Sequence, residues 1–131
     1  MLSAMGQPAV LLVESAFVEA TLARAALALR RDVLVLQAED LRSASGLLER
    51  APVALAILGK AALDHADRST ISAFVRGGVP VVGLGVELAE PLRKKALQAG
   101  VREVHERPRD WRAYRSLISG LVDIALATRT G

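Results

Sequence analysis

Short apolar runs recur along the chain, separated by stretches with helical periodicity. Val10–Val13 follows Pro8 as an unbroken apolar run, the pattern of a strand buried on both faces. Val33–Leu36, Val53–Leu58 and Pro80–Leu84 repeat the signal, and Val101–His105 gives a weaker fifth strand. Between them the period changes. Ser15 offers a helix cap, and Val18, Leu22, Ala25, Ala26 and Leu29 then fall at helical spacing until Arg30-Arg31-Asp32 breaks the pattern. Asp40 can cap a helix to about Arg50, with Leu41, Ala44, Leu47 and Leu48 on one face, before Pro52 ends it. Gly59–Arg68 reads as a polar loop. Ser69 then caps a short helix through Phe74 and Val75, closed by Gly77-Gly78. Pro91 suits the first turn of a helix that stops at Gly100. Asp110 caps a last helix with Tyr114, Leu117, Ile118, Leu121 and Ala125 apolar.

The order is therefore strand–helix, five times. Apolar strands alternating with helices predict an α/β fold, a doubly wound five-stranded parallel sheet with helices on both sides. The natural strand order is 2-1-3-4-5. Residues 1–127 form one domain in this reading, and 128–131 lack pattern, as a tail or the start of a linker. Ligands of such sheets sit beyond the carboxyl ends of the strands, beside the point where strand order reverses. That directs attention to Glu14-Ser15-Ala16 and to Gly59-Lys60.

Composition narrows the chemistry. Apolar residues make up 52% of the chain but aromatics only 3%, so the core is built from Ala, Val, Leu and Ile. With no cysteine there is no disulfide, thiol nucleophile or Cys-based metal site. The amino terminus has no basic segment, and its apolar run is too short for a signal peptide or membrane span. The expected location is the cytoplasm. Charge is uneven: residues 1–90 carry 8 Lys and Arg against 10 Asp and Glu, whereas residues 91–131 carry 9 against 4. The last third is a basic surface, suited to an acidic protein face or to nucleic acid.

Several local motifs fail on spacing. Gly59-Lys60 lacks the earlier glycine of a phosphate-binding loop, and Ala61 stands where Ser or Thr should follow. Gly83-Leu84-Gly85 would need its third glycine at Leu88, and it lies at the fourth strand rather than the first. Asp64, His65 and Asp67 lack a further ligand at sensible spacing, so loop polarity explains them better than a metal site. His105, in the fifth strand, takes a structural role by default.

The chain as a whole, from about Pro8 to Leu126, resembles the receiver domains of bacterial two-component response regulators. VLLVES at 10–15 resembles the family's first strand, APVALAILG at 51–59 its third, and VPVVGLGV at 79–86 its fourth. ALQAGVREVHERP at 96–108 is the most specific match. It resembles the family's ALxAGAxxYLxKP segment, with Ala96, Leu97, Ala99, Gly100 and Pro108 in place. The resemblance implies a flavodoxin-like, receiver-like three-layer sandwich. It also implies where the chemistry should be. Gly59 stands at the position of the phosphoacceptor aspartate, Gly85 at that of the Thr or Ser, and Arg107 at that of the lysine. The acidic pair falls on Glu14-Ser15 or on Ser15-Ala16, leaving at most one carboxylate. Aspartyl phosphotransfer needs a carboxylate nucleophile, carboxylates and carbonyls for Mg²⁺, and a cation and hydroxyl for the phosphoryl oxygens. Nucleophile and hydroxyl are missing here. The expectation is a degenerate, pseudo-receiver form: not an enzyme, with no cofactor or metal, acting in signalling or spatial organisation by binding protein.

In receivers the output surface is the fourth helix, the fifth strand and the last helix. Here those elements hold the basic third, and Trp111 and Tyr114 open the last helix. Trp, Tyr and Arg are enriched at binding hot spots. The candidate contact residues are therefore Arg107, Trp111, Arg112, Tyr114 and Arg115, for a protein partner or a homodimer. The bland alternative is a solvated basic face with Tyr114 in the core. Nucleic acid fits the charge, but no helix-turn-helix, zinc module or stacking strand accompanies it. Two other functions compete: an active regulator phosphorylated on another acid, with Asp64 the nearest candidate, and a small-ligand module using a hollow left by Gly59 and Gly85.

Overall fold

The computed structural model describes residues 7–130. All five strands are parallel and lie in the order β2-β1-β3-β4-β5, as the periodicity predicts. They are β1 (Ala9–Val13), β2 (Leu34–Ala38), β3 (Val53–Leu58), β4 (Val81–Gly85) and β5 (Glu103–Glu106). The three central strands are buried along their whole length, and the edge strands β2 and β5 are partly exposed. An unbroken aliphatic run fits a strand covered on both faces; the mixed sequence EVHE of β5 fits an edge.

Six helices cover the sheet: α1 (Phe17–Leu27), α2 (Leu41–Leu47), α3 (Lys60–Asp64), α4 (Arg68–Arg76), α5 (Glu90–Ala99) and α6 (Trp111–Thr130). Helices α1 and α6 pack on one face, where Ala20, Ala23, Ala26 and Leu27 meet Tyr114, Ile118, Leu121 and Val122 over the even-numbered side chains of β1. The remaining helices cover the other face, around Leu11, Leu58, Leu63, Ile71 and Phe74. A fully buried side chain such as Phe74 contributes about 2–3 kcal/mol.

Four local features differ from the sequence expectation. Residues 60–64, expected as loop, form the helix α3, with Gly59 as its N-cap and no side-chain cap bond. The expected fourth helix is therefore α5. Asp67, not Ser69, caps α4: its carboxylate accepts from Thr70 N, and the Thr70 hydroxyl accepts from Asp67 N, both at 2.9 Å. In α1 the buried side is Ala20, Ala23 and Ala26 with Leu27, so Val18, Ala25 and Leu29 are exposed and Leu22 only half-buried. Small alanines let α1 sit close to the sheet, which turns its bulkier residues outward. Finally, residues 128–130 continue α6 instead of leaving it as a tail, with the Thr128 hydroxyl bonded to the Ile124 carbonyl. Gly131 lies outside the described residues. Among the described residues no helix is long and apolar enough to cross a membrane.

Candidate functional site

The parallel registers bring three strand ends together. Val13 pairs with Ala38 on one side and Leu58 on the other, which sets Glu14 beside Gly59. Leu58 pairs with Gly83, and Gly85 with Glu106, which extends the same rim across β4 and β5.

Glu14 is buried, 5% exposed, and is the only charged residue so buried among the described residues. Its Oε1 accepts a hydrogen bond from Ala16 N at 3.0 Å, so this carboxyl group serves the amino end of α1. Ser15, expected as the cap, points to solvent, and Ala16 is the N-cap residue without a side-chain bond. Burial pushes the Glu14 carboxyl above its ordinary value; the Ala16 N–H works the other way, and nearby Glu19 adds to the rise.

Gly59 faces that carboxyl group directly. A β-carbon at residue 59 would lie 2.9 Å from Glu14 Oε1 and closer still to Cδ and Oε2. The space that any side chain at 59 would use is filled by Glu14. Gly85 is closed differently: a β-carbon there would meet Leu88 Cδ2 at 3.3 Å and the Lys60 backbone N at 3.5 Å. The hollow weighed as an alternative at the two glycines is filled at Gly59 by the Glu14 side chain and narrowed at Gly85 by Leu88 and Lys60. Beside it an open groove is lined by Ser15, Asp40, Leu41, Ala61, His65 and neighbouring residues.

Arg107, at the lysine position of the resemblance, is half-buried and pairs with Glu19, Nε to Oε1 2.8 Å. It does not meet Glu14 in an ion pair. Asp64 ends α3, exposed, and its backbone carbonyl accepts from Lys95 Nζ at 2.8 Å. No group of three potential metal ligands gathers among the described residues. His105 Nε2 contacts Glu103 Oε1 at 2.6 Å along the edge strand.

The basic face divides the candidate contact residues. Trp111 is 41% exposed and Arg112 is exposed, whereas Tyr114 is 3% exposed and belongs to the core. Tyr114 packs with Ile118, Leu121 and Val122 in the core on the sheet side of α6, which removes it from the contact set. Burial pushes its phenol up to about 12, with Glu19 adding to the rise. Its ring lies 5.9 Å from that of Trp111, and the Arg115 guanidinium sits 6.0 Å from the Trp111 ring centre. Arg115 thus braces Trp111 from the next turn of α6.

Sequence reasoning missed the tie between β5 and α5. Glu106 at the end of β5 accepts from Glu87 N at 2.6 Å and Leu88 N at 3.2 Å, just before α5. These two bonds hold the Glu106 carboxyl below its usual range. Glu87 has φ of 54°, the left-handed conformation that turns successive N–H groups toward one anion. In return, an Arg93 N–H from α5 donates to the Val104 carbonyl on β5. A left-handed glutamate has no sequence signature, so neither bond was legible.

The sheet order and helix placement are those of the flavodoxin-like receiver fold. Comparison with solved structures agrees. The signal receiver domain of a Vibrio parahaemolyticus protein superposes with a TM-score of 0.72 at 19% identity, over 95% of this chain and 96% of that one. A response regulator from Hahella chejuensis gives 0.73 at 20% identity, covering 91% and 95%. A CheY-like protein, TadZ, from Pseudomonas aeruginosa gives 0.66 at 20% identity, covering 87% and 98%. No family model matches the sequence, and no curated protein matches it either.

Proposed function

We propose that this chain is a degenerate receiver, a protein-binding module that acts without aspartyl phosphorylation. One observation carries the reading: the place of an acceptor side chain at residue 59 is taken by the buried Glu14 carboxyl group. A nucleophilic carboxylate has neither a residue to belong to nor room beside Glu14. The contact face is α5, β5 and the start of α6. Exposed Arg109 and Arg112 neighbour Trp111 in the chain and exposed Lys94 lies on α5, and the partner surface is acidic by complementarity. The ties from Glu106 and Arg93 hold α5 against β5, so the face is formed before any partner arrives.

Incubation with acetyl phosphate, or with beryllofluoride, in the presence of Mg²⁺ tests the first half. The expected result is an unchanged intact mass and no saturable binding; a covalent mass shift overturns the proposal and favours an acid such as Asp64. For the second half, partners retained by the immobilised protein are compared with those retained by the Trp111→Ala/Arg112→Ala variant. Identical retention removes this face from the function.

A further inference from the structure

The turn from β4 into α5 has the make-up of an anion site. Two successive backbone N–H groups, those of Glu87 and Leu88, point at the one carboxylate of Glu106 and reach different oxygens, 2.6 Å to Oε2 and 3.2 Å to Oε1. Among the described residues Glu87 is the only non-glycine with a positive φ, 54°. A side chain in that conformation is strained, so the turn needs something to hold it. Glu106 is exposed, so burial does not force its carboxylate into this place. The positive charges of Lys60 and Arg93 act on the same carboxylate. Lys60 is brought to the turn by α3. Its backbone N lies 3.5 Å from where a β-carbon on Gly85 would be, and Gly85 pairs with Glu106 across β4 and β5. Converging N–H groups with cations beside them are a means of binding carboxylates and phosphates. Here the anion is part of the chain.

We propose that residues 86–88 form an anion-binding turn occupied by the chain's own Glu106, and that this built-in anion positions α5 for the partner. The positioning half rests on the contact face proposed above. Ala89, the N-cap of α5, makes no side-chain bond, so the helix has no cap of its own to fix its start. Leu88, whose N–H meets the carboxylate, packs its side chain over Gly85. Arg93, in the first turn of α5, donates to the Val104 carbonyl on the same strand as Glu106. Without the carboxylate, two N–H groups and two cations would converge on no anion. Glu87 would relax to an ordinary φ, and the start of α5 would leave β5. Glu106 is thus a positioning residue that acts through α5. A free anion has no part in the wild-type protein, because a tethered carboxylate outcompetes it.

Removing the tethered carboxylate opens the site to test. In the full chain carrying Glu106→Ala, the amide resonances of Glu87 and Leu88 are expected to shift saturably with acetate, and separately with inorganic phosphate. Chloride is varied to hold ionic strength constant, which removes general screening. The same resonances should stay in place in the wild type. No saturable shift in the variant, or an equal shift in the wild type, overturns the anion site. Thermal melting checks that the variant folds. Glu106→Gln keeps the shape and loses the charge, so its Glu87 and Leu88 amides should exchange with solvent at least about tenfold faster than in the wild type. Unchanged exchange also overturns the site. Retention of partners reads the positioning half. Immobilised Glu106→Ala should retain less of what the wild type retains, and regain it in acetate at matched ionic strength. If Trp111→Ala/Arg112→Ala lowers retention and Glu106→Ala does not, the positioning role is overturned and the contact face stands. If neither lowers it, the contact face fails and the positioning role fails with it.

Discussion

The rim formed by Glu14, Gly59 and Gly85 and the face formed by α5, β5 and α6 belong to one end of one sheet, yet they are opposite environments. At the rim a carboxyl group is buried against a glycine and bonded to a backbone N–H, and burial raises its affinity for a proton. On the face, cations are exposed around an indole, and the carboxylate of Glu106 is held ionised by two N–H groups. The contrast teaches that the same strand ends can serve as packing on β1 and β3 and as an exposed, charged surface beyond β4 and β5. What decides is whether the carboxyl group at the strand end is buried, as Glu14 is, or exposed, as Glu106 is, since both find backbone donors.

The sharpest way to break the rim is Gly59→Asp. The new side chain would overlap the Glu14 carboxyl and bury a second acid beside it. The expected loss is about 3–5 kcal/mol, read from urea unfolding. Adding Glu14→Ala should recover much of it, as expected for residues in contact. Failure of the second change to rescue would mean that the two positions do not share one space.

Next comes the pair of aromatics on α6, which separates core from face within one helical turn. Tyr114→Ala should cost about 3 kcal/mol, because a buried ring leaves a cavity. Trp111→Ala, at an exposed position, should cost under about 1 kcal/mol while weakening capture of the partner. Equal stability losses would erase the distinction.

The smallest effect sharpens the contrast in charge. A folded state that raises the Glu14 carboxyl binds its proton more tightly than the unfolded chain does. This group therefore lowers stability as pH rises from the ordinary value of 4.5 through its raised folded value. Glu14→Gln cannot ionise and should lose that slope. The difference in urea midpoint between variant and wild type should then shift in the variant's favour as pH rises, and stay constant at lower pH. A difference independent of pH would show that the carboxyl keeps its ordinary affinity for protons.

The architecture was legible because it rests on long-range repetition: five apolar runs at regular intervals and helices between them. Errors fell where side-chain size and periodicity part company. Alanine contributes little to an apolar pattern, so although Ala26 was placed correctly, Ala20, Ala23 and Leu27 were passed over for Val18, Ala25 and Leu29. A five-residue helix such as α3, opened by a glycine, gives too short a period to detect. At the site, the bare glycine at the end of β3 was legible in sequence. The side chain that fills the space beside it was not, because Glu14 reaches Gly59 only through the register of β1 on β3.

The packing of Glu14 on Gly59 has a consequence for how this sequence can change. A carboxylate at 59 is unfavourable while Glu14 is present, and loss of Glu14 alone strips α1 of the acceptor for Ala16 N and opens a void. Each step is selected against unless the other has already occurred. Substitutions at two sites far apart in the chain are thus epistatic, and the fold resists gaining an acid at this strand end one mutation at a time.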